Sequence, residues 1–179
     1  MATFQSSAYL NANIFRTVGD QPAEITATVE IPAGKRLLTT DKLYLFKVGA
    51  DHSVDEVVVR FGGLDLAQTP TLTMDVGYEA AVAVDDPNAF VAASTLARTG
   101  GQVQVENGGD DPFAVGTLAP IGETIDIVAI PAASAAAAAG SGSLGPGATN
   151  GYLTVTAKIS RRINAIDPSV TPYDYGASL

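Results

Sequence analysis

The sequence predicts an all-β protein, a β-sandwich of jelly-roll type with one short helix and extended termini. Three observations lead there. Short runs alternate apolar and polar side chains with a period of two, as strands half-buried against a core do. Gly, Pro, Asn and Asp break the chain between those runs, in the manner of a succession of short strands. Only one segment carries a helix-start signal, and no internal repeat points to a solenoid or propeller.

The first sixteen residues mix Phe4, Tyr9, Leu10, Ile14 and Phe15 with Asn and Ser, which suits an edge strand or an extended arm; residues 1–20 are assigned to it. The sandwich domain is expected over 21–160. Glu24 to Ile31 alternates cleanly, Ile25, Ala27, Val29 and Ile31 facing in and Glu24, Thr26, Thr28 and Glu30 facing out, and Pro32-Ala33-Gly34 ends it. Lys42 to Val48, Val54 to Phe61 and Thr71 to Tyr78 are the next strands. In the last, Leu72, Met74, Val76 and Tyr78 share a face. Asp86 is a helix-capping residue and Pro87 suits the first helical position, so a short helix is expected at about Asp86 to Arg98, with Phe90, Ala93 and Leu96 at helical spacing and Gly100-Gly101 closing it. Gln102 to Glu106, Glu123 to Ile130 and Tyr152 to Ser160 complete seven or eight strands. Ala132 to Gly151 is rich in Ala, Gly and Ser and reads as a long loop. Pro168 and Pro172 keep 161–179 out of a sheet interior, leaving an extended tail.

A chain of 179 residues, 46% of them hydrophobic, is enough for one domain with a real core. No apolar run reaches the length of a membrane span, and the N-terminus lacks the basic and apolar regions of a Sec-type signal. With no cysteine there is neither a disulfide framework nor a thiolate metal site. The formal charge of −9 opposes contact with phosphate backbones. The basic cluster Lys158, Arg161 and Arg162 is too small to reverse that, so neither nucleic acid nor a membrane is an expected partner.

Catalytic signals are sparse. Asp51, His52 and Ser53 are adjacent in sequence and cannot converge as a triad, and no Gly-x-Ser-x-Gly elbow occurs. Asn107 to Asp111 has the composition of a calcium loop without EF-hand spacing, and turn formation accounts for it; no cofactor or metal is assigned. The paired glycines lack the Lys-Ser/Thr of a phosphate loop, and no tryptophan is present to stack a sugar. The candidate functional residues are therefore interface side chains. Phe4, Tyr9 and Phe15 divide between core and interface, and Val170, Tyr173 and Tyr175 lie on the proline-bearing tail.

The order of several pieces resembles the small virion structural proteins of tailed bacteriophages. They are Val57-Val58-Val59-Arg60-Phe61, Asp75-Val76-Gly77-Tyr78, Asp85-Asp86-Pro87-Asn88-Ala89-Phe90, Thr124-Ile125-Asp126-Ile127-Val128-Ala129, Ala132 to Gly140 and Leu153-Thr154-Val155-Thr156, covering roughly Asp41 to Ser160. The resemblance implies a non-enzymatic capsid decoration, or cement, subunit on the virion exterior. Its implied partners are the major capsid protein and further copies of itself, a trimer before other orders. The alternative is a fibre, spike or tail-associated module that recognises a host glycan or another virion protein.

Overall fold

The computed structural model describes residues 1–11, 14–15, 22–50, 52–81, 85–106, 124–137 and 150–161. In chain order the elements are β1 (Thr3–Gln5), α1 (Ser7–Leu10), β2 (Ile14–Phe15), β3 (Ala23–Ile31), β4 (Lys42–Val48), β5 (His52–Gly62), β6 (Thr73–Ala80), β7 (Asp86–Ser94), α2 (Leu96–Thr99), β8 (Gly101–Glu106), β9 (Ile125–Ala133) and β10 (Gly151–Arg161). From β3 onward the strands pair as one long hairpin would, β3 with β10, β4 with β9, β5 with β8 and β6 with β7, all antiparallel. Rolling that hairpin drops alternate pairs into two sheets. The smaller has the order β3-β10-β5-β8. The larger has the order β1-β4-β9-β6-β7, with β2 also pairing β4. This is a jelly-roll sandwich, the expected fold.

The core lies between the sheets, as the alternation predicts. Ile25, Ala27, Val29 and Ile31 of β3 and Leu153, Val155, Ala157 and Ile159 of β10 are buried in one cluster with Leu43, Leu45, Phe46, Met74, Val76, Ile125 and Ile127 of the facing sheet. Each large aliphatic or aromatic side chain in it contributes about 1.5–3 kcal/mol by leaving water.

The expected helix at Asp86 to Arg98 is corrected. Asp86–Ser94 is strand β7, and only Leu96–Thr99 is helical. β6 needs its hairpin partner, and that pairing overrides the local capping signal. β7 carries a mixed pattern because its register jumps from Val76↔Val91 to Tyr78↔Asp86, so the residues between bulge away from the ladder. Pro87 is tolerated there, on an edge strand and at an irregularity. Ala93 has φ of 46°, in the left-handed region, and Asp75 Oδ1 accepts its N–H at 2.6 Å, holding the turn. Beneath the bulge, Gly77 leaves room for backbone. A Cβ there would lie 2.1 Å from the Asp86 carbonyl oxygen and 2.5 Å from the Pro87 carbonyl carbon.

The expected Ala132 to Gly151 loop starts later than its composition suggests, since Ala132 and Ala133 belong to β9. The next residues are tied down at one end of the sandwich. Asp65 is 1% exposed, and its carboxylate accepts N–H donors from Thr71 at 2.8 Å, Leu72 at 3.0 Å, Ala136 at 2.9 Å and Ala137 at 2.9 Å, with Ala67 at 3.3 Å. Burial alone would raise this carboxyl, but the donors of Ala136, Leu72, Ala137 and Thr71 outweigh it and hold the group at about 2. Residues 138–149 lie outside the described residues.

Candidate interaction surfaces

Two outward sheet faces carry most of the organised polar chemistry among the described residues. On the larger sheet, a bulge between Tyr44 and Phe46 lets Leu45 and Phe46 both turn inward while Lys42, Tyr44 and Lys47 stay on the outer face. The register sets Lys47 beside Asp126 of β9 and Asp126 beside Glu79 of β6. α1 delivers Tyr9 onto this face. Its start is capped by Ser6, whose Oγ accepts the Tyr9 N–H at 3.0 Å and donates to the Leu45 carbonyl. Tyr9 Oη donates to Asp126 Oδ2 at 3.0 Å, and Lys47 Nζ sits 3.2 Å from Asp126 Oδ1 and 4.8 Å from the Tyr9 ring centre. The Tyr9 and Tyr44 rings are 4.9 Å apart, Tyr44 Oη donates to Glu79 Oε2 at 3.0 Å, and Lys42 pairs with the same carboxylate. Two lysines and two carboxylates thus neutralise one another around two phenol rings in tilted contact.

The environment shifts the ionisable groups. Burial, then the hydrogen bond to Asp126, pushes Tyr9 up to about 12; burial, then the bond to Glu79, does the same for Tyr44. The hydrogen bond to Glu79 raises Lys42. For Tyr9 the sign is that of a raised folded-state value: its stabilisation is complete below about pH 10, where the unfolded phenol titrates, and is lost as pH climbs toward 12. Tyr9→Phe is expected to cost about 1 kcal/mol at neutral pH and to remove part of that alkaline loss. Urea midpoints at neutral pH and across this alkaline window check both effects.

On the smaller sheet the outer face is flat and polar. Threonine hydroxyls pair across β3 and β10, Thr26 with Thr156 at 3.0 Å and Thr28 with Thr154 at 2.8 Å. Arg60 Nε donates to Gln102 at 3.0 Å and Gln104 donates to Glu56 at 2.9 Å. Lys158 stands in register between Glu24 and Glu56, and a shallow hollow opens between these residues, Thr26, Thr156, Val58 and Arg60. Tyr152, 46% exposed, lies over Gly62, where a Cβ would approach its ring to 2.2 Å.

The structure places Phe4 on β1, partly buried against the core, and Tyr9 in the network just described. Phe15 is on β2, paired with Val48. Val170, Tyr173 and Tyr175 lie outside the described residues, as do Asp51 and Asn107 to Asp111. His52 is buried with Nδ1 2.8 Å from the Ala50 carbonyl oxygen, while the Ser53 hydroxyl donates to Asp55 at 2.8 Å and meets Ser160 at 2.9 Å. Among the described residues, no group of three or more His, Asp or Glu side chains is placed to hold a metal ion. Sequence reasoning selected Tyr9 but missed Lys42, Tyr44, Lys47, Glu79 and Asp126. The outward phase of Lys42, Tyr44, Glu79 and Asp126 was readable; that of Lys47, and which strands adjoin, was not.

These features define a class: a jelly-roll sandwich with open, internally paired polar faces and an N-terminal segment laid along one sheet. Among solved structures, the chain is similar to one from the capsid of Ralstonia phage GP4, with 19% identity and a TM-score of 0.62, over 89% of this chain and 97% of that one. It is also similar to a chain of the Cyanophage Pam1 capsid asymmetric unit, with 18% identity and a TM-score of 0.58, over 84% of this chain and 91% of that one. At these identities the likeness is one of fold. No protein-family model and no curated protein matches the sequence.

Proposed function

We propose that this chain is a structural protein of a tailed-phage virion, a decoration subunit that binds the outside of the assembled capsid and bridges neighbouring capsomers. The observation that carries the reading is that one fold spans nearly the whole of this chain and nearly the whole of the chain from the Ralstonia phage GP4 capsid. The net charge of −9 supports an exterior place, away from packaged DNA. The subunit acts through binding, and the tail, residues 163–179, serves as an arm to a neighbouring subunit. Because the ligand state is the assembled shell, binding stabilises that shell by mass action.

The test adds purified protein to undecorated capsids and measures saturation and heat resistance. Saturable binding at a lattice-defined ratio, with a raised disassembly temperature, is expected. Deleting residues 163–179 is expected to leave the domain folded and to weaken that binding. Absence of capsid binding together with attachment to host cells or glycans would replace this reading with a receptor-binding module.

A further inference from the structure

We infer that Asn150 is a site of spontaneous covalent modification: the Gly151 nitrogen attacks the Asn150 side-chain amide and ammonia leaves, with the Ala33 N–H and the Glu30 carboxylate promoting the step. The inference goes beyond the decoration reading and does not depend on it.

The first argument is the place of the residue. Asn150 precedes a glycine, which has no Cβ to obstruct ring closure by its nitrogen onto the preceding side chain. Asn150 is exposed and lies just outside the sheet. Gly151 opens β10 and pairs with Ile31, the last residue of β3, while the pairing of β10 with β5 begins only at Tyr152. The backbone that must rotate for the attack is thus at the terminal rung of a ladder, where local opening costs least.

The second argument is what holds the amide. Asn150 Oδ1 accepts the Ala33 N–H at 3.1 Å, and Asn150 Nδ2 donates to Glu30 Oε2 at 3.2 Å. Both contacts match the chemistry. A main-chain N–H on Oδ1 polarises the Cγ carbonyl and stabilises the oxyanion that forms there, as such donors do in acyl transfer. A carboxylate against Nδ2 stands at the leaving group, where a proton must arrive before ammonia departs. The fold supplies both groups from one strand end. Glu30 faces outward beside Ile31, and Ala33 belongs to the turn that follows, closed by the Lys35 N–H on the Pro32 carbonyl at 3.0 Å.

The step balances with water as the only co-reactant. The bond from the Gly151 nitrogen to Asn150 Cγ forms, and the proton that this nitrogen loses passes to Glu30 and from there to Nδ2. The Cγ–Nδ2 bond breaks, and ammonia leaves with the electron pair. Water then opens the succinimide at either carbonyl, giving aspartate or isoaspartate at position 150. Either product sets a carboxylate where Nδ2 now donates to Glu30, so attraction at the mouth of the β3–β10 pair becomes like-charge repulsion. Isoaspartate also lengthens the main chain by one methylene ahead of the first rung.

The test incubates the full chain at neutral pH and follows the peptides containing Asn150 and Asn107 by mass and by separation of aspartate from isoaspartate. Asn107–Gly108, the other Asn-Gly pair of the sequence, is the reference. Conversion at Asn150 is expected in the folded protein. Glu30→Gln keeps an acceptor for Nδ2 but cannot carry the proton, so it is expected to slow that conversion about tenfold and to leave Asn107 unchanged. In the urea-unfolded chain the same substitution is expected to change neither site. An Asn150 that keeps its amide in the folded protein, a folded-state rate indifferent to Glu30→Gln, or equal slowing of both sites would each overturn the inference.

Discussion

Replacing Asp65 with alanine is expected to destabilise the protein by about 3–4 kcal/mol, a large part of the stability of a domain this size. The reason is the number of donors that the carboxylate serves. The N–H groups of Thr71, Leu72, Ala136 and Ala137 converge on it, and the Leu72 bond is buried where water cannot substitute. Alanine would remove the acceptor and leave those donors in place, the costly side of hydrogen-bond exchange. Asp65→Asn keeps the shape but turns an amide nitrogen toward N–H groups and removes the charge, so an intermediate loss is expected. The carboxyl also sets a pH dependence. Its folded value of about 2 lies below the ordinary 3.8, so its contribution is present above about pH 4 and is lost as pH falls toward 2. Urea midpoints at neutral pH and at about pH 3 measure both effects. If the asparagine variant loses stability over the acid window as steeply as the parent, the carboxylate is not the group responsible.

Gly77→Ala is expected to cost about 2–3 kcal/mol, whereas Gly62→Ala costs much less, although both sites place a new Cβ against a neighbour at nearly the same distance. At Gly77 the obstacles are main-chain atoms of the β7 bulge, with the Asp86 carbonyl oxygen at 2.1 Å and the Ala89 nitrogen at 2.8 Å. They can yield only if the bulge lifts and its pairing with β6 is disturbed. At Gly62 the obstacle is the Tyr152 ring at 2.2 Å, the far end of an exposed side chain that can swing into solvent. Denaturation midpoints of the two variants decide the matter, and hydrogen exchange over 86–91 locates the damage. Equal costs would show that the β7 backbone over Gly77 is free to move.

The outer-face network shows how much of the candidate site was readable. Tyr9 stands out as an aromatic residue in a polar segment, and the outward phase of Asp126 follows from the alternation of its strand. Their bond joins residues 117 positions apart, and nothing local predicts it. Lys47 illustrates the same limit, since its outward phase depends on a bulge at Tyr44 to Phe46 that simple alternation does not contain.

By itself, the sequence determined the strand-rich class, the position of seven of the long strands to within a few residues, and the inward faces of β3 and β10. Those follow from a period of two that any segment displays without its neighbours. Tertiary structure decided that Asp86–Ser94 is a strand and that Gly77 lies under a bulge. It also decided that the Ala136–Ala137 segment joins Asp65's own loop on that carboxylate, and which outward side chains meet. In each case the deciding interaction is a contact between segments, with the next strand of a hairpin for β7 and Gly77 and with residues more than seventy positions away for Asp65. Local propensity, worth tenths of a kcal/mol per residue, yields to a buried hydrogen-bond ladder worth several.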